Sequence, residues 1–111
     1  MPTTTKSKRR QPTIDYDDVI REELKDPEHA ALYLSEAMKD MDDRVFLLAL
    51  RRVAEAHGMT KVAKKAERNR VSLYKTLSGN SKPQLDTIMA ILSAVNLELS
   101  ISSINTDSQS V

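Results

Sequence analysis

The chain has 111 residues, 40% apolar and 30% charged, which suits one domain with a modest core. It has no cysteine, which excludes a disulfide framework or a thiolate metal site, and its two glycines and four prolines favour helices over a many-turned β fold. The net charge of +1 conceals a segregation: residues 1–13 carry +4, residues 14–43 carry −8, residues 44–82 carry +8 and residues 83–111 carry −3, a pattern of two faces with opposite electrostatic preference.

No apolar run approaches the roughly 18 residues that cross a membrane. The basic start "MPTTTKSKRRQPT" is not followed by an apolar stretch, so a secretory leader is not expected and a cytoplasmic location is. Residues 1–13 read as a disordered basic arm. Residues 14–42 read as an acidic helical extension. Within it, "YDDVIREELK" places Val19, Ile20 and Leu24 at near-helical spacing. Asp26 and Pro27 then suit an N-cap and first turn, and Ala30, Leu34, Ala37, Met38 and Met41 make one apolar stripe.

Residues 43–103 read as the main domain. Asp42 or Asp43 caps "RVFLLALRRVAEAHG", in which Phe46, Ala49, Leu50, Val53 and Ala54 face a core and Gly58 takes the C-terminal cap. Thr60 is the expected cap of "KVAKKAE", with Val62, Ala63 and Ala66 inward. Asn69 is the expected cap of "RVSLYKTL", which ends by Gly79. Pro83 opens "QLDTIMAILSAV", with Leu85, Ile88, Met89, Leu92 and Val95 inward. The closing "LELSIS" alternates with a period of two and predicts a β-strand. A lone strand needs a partner, so the same strand of a second copy is expected beside it, with Leu92, Val95, Leu97, Leu99 and Ile101 at a homodimer seam. Residues 104–111 read as a disordered tail. The fold class expected is all-α with this one added strand.

Residues 59–79 carry the functional signal. Two short helices joined by a tight turn, with small Ala63 where they cross, have the layout of a helix-turn-helix whose second helix enters a major groove. Arg70 suits guanine, Asn69 suits adenine where its amide is not spent on capping, and Val71 suits a thymine methyl. Ser72, Tyr74 and Lys75 can reach phosphates or bases, and Thr60 and Lys61 face the backbone. Lys64, Lys65, Arg68 and Lys82 add positive charge. A bundle of solvated, lysine-rich helices is the plain alternative.

The segments "FLLALRRVAEAHGM", "RVSLYKTLSGNSKP", "LDTIMAIL" and "LELSI", with the upstream "DYDDVIREELKDPEHAALYLSEAMKD", resemble the HigA-like addiction-module antidote proteins. These are a branch of the Xre/Cro helix-turn-helix group, and the resemblance spans residues 15–103. It implies a type II antitoxin that binds a RelE/HigB-like toxin and represses its own operon as a homodimer on palindromic double-stranded DNA. Family members usually carry Gly where Glu67 stands and an apolar residue where Arg68 stands. A left-handed turn without Gly costs about 1 kcal/mol or more, so a rebuilt turn with a longer preceding helix is expected.

A toxin that handles RNA is expected to be basic, and the acidic segment offers it Asp15, Tyr16, Asp18, Val19, Glu22 and Glu23. The alternative for this segment is an acidic cover that keeps the chain soluble. For the whole protein, two other readings stand: an Xre-type repressor with no toxin, and an inhibitor of a basic partner that touches no DNA. No enzyme activity, cofactor or metal is expected. His29 and His57 are the only histidines, and His57, before Gly58, sits where carbonyl dipoles favour a cation.

Overall fold

The computed structural model describes residues 16–80 and 82–104. The arm expected over 1–13 and nearly all of the tail expected over 104–111 lie outside them. Six helices follow in order: α1 (Tyr16–Glu23), α2 (Pro27–Met38), α3 (Asp43–His57), α4 (Met59–Ala66), α5 (Arg70–Thr76) and α6 (Leu85–Ala94).

Local chemistry sets most of their ends. Asp26 is extended, its carboxylate accepts the Glu28 N–H at 3.0 Å, and Pro27 supplies the first helical residue of α2. Asp42, not Asp43, caps α3: its carboxylate accepts the Arg44 N–H at 2.9 Å and grips the Arg44 guanidinium at 2.8 Å. Those hydrogen bonds hold its pKa down to about 2. Gly58, at φ 99, closes α3 and opens α4 in a single residue. Thr60 therefore lies inside α4 and does not cap it, which corrects the expected start.

α3 is the spine. Leu47, Leu50, Val53 and Ala54 form a buried stripe at three- and four-residue spacing. α2 packs on it through Ala30 and Leu34; α1 packs on it too, with Ile20 half-buried and Leu24, just past its end, buried. α4 lies between α3, α5 and α6. Its Val62, Ala63 and Ala66 are buried, and the small side chains let the helices approach closely. Leu73 and Leu77 from the α5 region and Ile88, Ile91, Leu92 and Val95 from the α6 region complete the core. Four residues expected inward are not: Met38, Met41, Leu85 and Met89 are exposed, Met41 almost completely at 97%. Leu47 and Ile91 take core places that the pattern did not assign.

The expected C-terminal β-strand is not formed. After α6, Asn96 adopts a left-handed conformation (φ 67), its N–H donates to the Ser93 carbonyl at 3.0 Å, and the Leu97 N–H donates to Leu92 at 2.8 Å. This is a Schellman closure, and Leu97 packs on the core beyond it. The alternation of apolar residues thus begins as a helix-end contact. Residues 97–104 then run without regular structure, and no other strand exists among the described residues to offer a ladder. The described fold is all-α.

Candidate nucleic-acid interface

The connection between α4 and α5 is three residues, Glu67–Asn69, and it is tightly determined. Glu67 is left-handed (φ 56, ψ 45). Its N–H donates to Lys64 at 3.2 Å, and the next N–H, of Arg68, donates to Ala63 at 2.9 Å. This pair is again a Schellman closure, built without the usual glycine. The longer α4 expected from that substitution does not occur: α4 stops at Ala66, and Glu67 accepts the strained conformation instead.

Arg68 stands where an apolar plug was expected. It is half-buried, donates to the Ala66 carbonyl at 3.1 Å and reaches Asp86 of α6 at 4.0 Å. Its charge is turned toward the protein's own backbone and α6. Asn69 follows in an extended conformation. Its side-chain oxygen accepts the Val71 N–H at 2.8 Å and the Ser72 N–H at 3.2 Å. The amide oxygen that paired recognition of adenine needs is therefore spent on capping α5.

Beyond the cap, one face of α5 is anchored and the other is open. Leu73 is fully buried and Leu77 nearly so. Arg70, Ser72 and Lys75 are exposed, Val71 is 74% exposed, and Tyr74 is half-buried with its ring on the core. The Arg70 guanidinium lies 5.8 Å from the centre of the Tyr74 ring. Arg51, on α3, lies 5.3 Å from the same centre and is held by Glu55 at 3.2 Å. Sequence reasoning passed over Arg51, because nothing in the linear order relates it to position 74. Thr60, Lys61, Lys64 and Lys65 are exposed on α4.

The exposed surface of α4 and α5 carries Lys61, Lys64, Lys65, Arg70 and Lys75 and is basic. A groove of about 860 Å³ lies elsewhere, between the end of α2, the start of α3 and the loop at Gly79–Pro83, with Met38, Phe46 and Ile88 in its lining. A groove is not what a duplex needs, because the protein element enters the DNA. Lys82 lines that groove and stands apart from the α5 row.

The other assigned residues fall out as follows. On α1, Asp18, Val19, Glu22 and Glu23 are exposed, with Arg21 facing Asp18 at 3.9 Å and Lys25 facing Glu22 at 3.4 Å. Asp15 and the side chain of Tyr16 lie outside the described part. Of the residues assigned to a dimer seam, Leu92 and Val95 are buried in this chain's own core and Leu97 packs against it, while Leu99 and Ile101 are exposed. His57 is not a favoured cation. Burial lowers its pKa, helped by Lys61, Lys65 and Lys25, and a hydrogen bond with the Leu24 backbone only partly opposes this. Its Nε2 is buried with no hydrogen-bond partner among the described residues.

No helix among the described residues is long and apolar enough to cross a membrane. No solved structure matches the chain. An uncharacterized protein of Haemophilus influenzae is 34% identical over 87 residues, covering 78% of this chain and 88% of that protein. The family described as "Probable addiction module antidote protein" matches residues 14–103, from the acidic first helix through the segment after α6. The chain belongs to this addiction-module antidote family.

Proposed function

We propose that the chain is a HigA-like antitoxin of a type II module, with an Xre/Cro-type helix-turn-helix formed by α4 and α5. It neutralises a RelE/HigB-like toxin by direct binding and represses its own operon. The observation that carries the DNA-binding half is the open row on α5. Arg70, Val71, Ser72 and Lys75 leave a helix whose position is fixed by the buried Leu73, the Asn69 cap and the closed Glu67 turn. Arg70 is the residue assigned to guanine, Val71 to a thymine methyl, Ser72, Tyr74 and Lys75 to phosphates or bases, and Thr60 and Lys61 to the DNA backbone.

The toxin contact is assigned to α1. Ile20 and Leu24 turn inward and leave Val19 outward among Asp18, Glu22 and Glu23. An exposed apolar point ringed by acids suits a basic protein surface. A homodimer is proposed through the segment after α6, resting on exposed Leu99 and Ile101.

Two experiments divide these claims. A mobility shift on the DNA upstream of the gene, at two salt concentrations, tests the first. Binding that weakens steeply with salt supports it, and no shift at either concentration ends it. Co-purification with the product of the adjacent gene tests the second. An α1 variant carrying Asp18→Lys, Glu22→Lys and Glu23→Lys should lose that product while still binding DNA, because all three side chains are exposed. Retention of the product by this variant removes α1 as the contact.

A further inference from the structure

Arg70 is the first residue of α5 and Tyr74 lies one turn later. Side chains on a helix lean toward its N-terminus, so an aromatic ring at position i+4 leans back toward the side chain at position i. The geometry agrees: the Arg70 guanidinium carbon is 5.8 Å from the Tyr74 ring centre, within the range of a cation–π contact. The ring is half-buried against the core, and the Arg51 guanidinium is 5.3 Å from its centre on the α3 side. Arg51 is in turn held by Glu55 at 3.2 Å. The ring is thus fixed to the body of the protein, and Arg70 is the exposed member of the pair. An arginine side chain has several rotatable bonds, and ordering it on binding costs entropy. A contact already made in the free protein removes part of that cost.

We propose that Tyr74 is a positioning residue for Arg70: its ring holds the guanidinium in the direction from which it meets a base edge, and its hydroxyl makes no essential DNA contact. This rests on the reading of α5 as the DNA-contacting helix. It replaces a direct phosphate or base contact by Tyr74 with an indirect role.

The test is a double-mutant cycle on the upstream duplex, read by fluorescence anisotropy at one salt concentration. Tyr74→Phe keeps the ring and should bind within about twofold of the parent. Tyr74→Leu should weaken binding roughly two- to fivefold, the size of an exposed cation–π contact. In an Arg70→Ala background, Tyr74→Leu should add almost nothing. The idea is overturned if Tyr74→Phe is as weak as Tyr74→Leu, or if the losses at 70 and 74 simply multiply. An Arg70→Ala variant that binds like the parent defeats the DNA reading together with this one. A measurement without DNA separates the two. In the free protein, the Arg70 side-chain protons should show a ring-current shift by NMR that persists in Tyr74→Phe and vanishes in Tyr74→Leu. If the parent shows no such shift, the positioning role falls whatever the protein binds. Far-ultraviolet circular dichroism of each variant checks that α5 is intact.

Discussion

The side-chain oxygen of Asn69 accepts the Val71 N–H at 2.8 Å and so spends itself on the helix it precedes. A residue that the sequence offered both as a cap and as a base reader is committed, in the free protein, to the first task. Asn69→Ala should destabilise the fold by about 1 kcal/mol, the usual cost of losing such a cap. Asn69→Ser and Asn69→Asp should keep most of the stability. Urea unfolding of the three variants measures this, and equal stability of Asn69→Ala and parent would count against the cap.

Glu67 holds a left-handed conformation that a side chain disfavours, at φ 56. Glycine adopts it freely. Glu67→Gly should therefore raise stability by about 1 kcal/mol, appearing as a higher melting temperature with little change in the helical signal. A loss of stability would show that the Glu67 side chain contributes something the turn geometry does not reveal.

His57 links stability to pH. Its folded pKa lies below the ordinary 6.5, so as the pH falls the unfolded chain takes up this proton first. The stabilisation from keeping the ring neutral is complete above about pH 6.5 and is lost as the pH falls from there toward the lower folded value. Thermal melts between about pH 7 and pH 5 should show this loss. His57→Leu, which fills the space without a titrating group, should flatten that part of the curve.

Asp42 acts lower on the pH scale. Its pKa falls from 3.8 to about 2 because the Arg44 side chain and backbone N–H both bond to it. A carboxylate with a lowered folded pKa stabilises the fold above its unfolded value, and that contribution is lost as the pH falls through about 3.8 toward about 2. Asp42→Asn should remove this part of the acid dependence while leaving a weaker cap, as pH-resolved circular dichroism melts would show.

The readability of the sequence differed from element to element. Caps were legible because their chemistry is local: Asp26, Asp42, Gly58 and Asn69 each act on residues within a few positions. The buried side of α4 and the anchors Leu73 and Leu77 followed from helical spacing. What failed depended on distant partners. "LELSIS" alternates like a strand, but Leu97 is taken by the closure of α6 and no second strand exists among the described residues. Met38, Met41, Leu85 and Met89 fit apolar stripes yet lie at helix ends or edges that no neighbouring element among the described residues covers. Thr60 had the chemistry of a cap, but Gly58, two residues earlier and at positive φ, already starts α4. Glu67 departed from the family pattern, and the sequence could not say that two backbone hydrogen bonds would outweigh its conformational cost. At the candidate interface, the basic row on α5 was legible. The shared ring linking Arg51 to Arg70 was not, because α3 and α5 meet only in three dimensions.

The central claim is that α5 meets DNA through Arg70, and the most direct measurement is the affinity of the parent and of Arg70→Ala for the duplex upstream of the gene under identical salt. An arginine paired to a base edge contributes about 1–3 kcal/mol of binding, so Arg70→Ala should bind roughly five- to 150-fold more weakly with its fold intact. Equal affinity of the two proteins for that duplex would contradict the account.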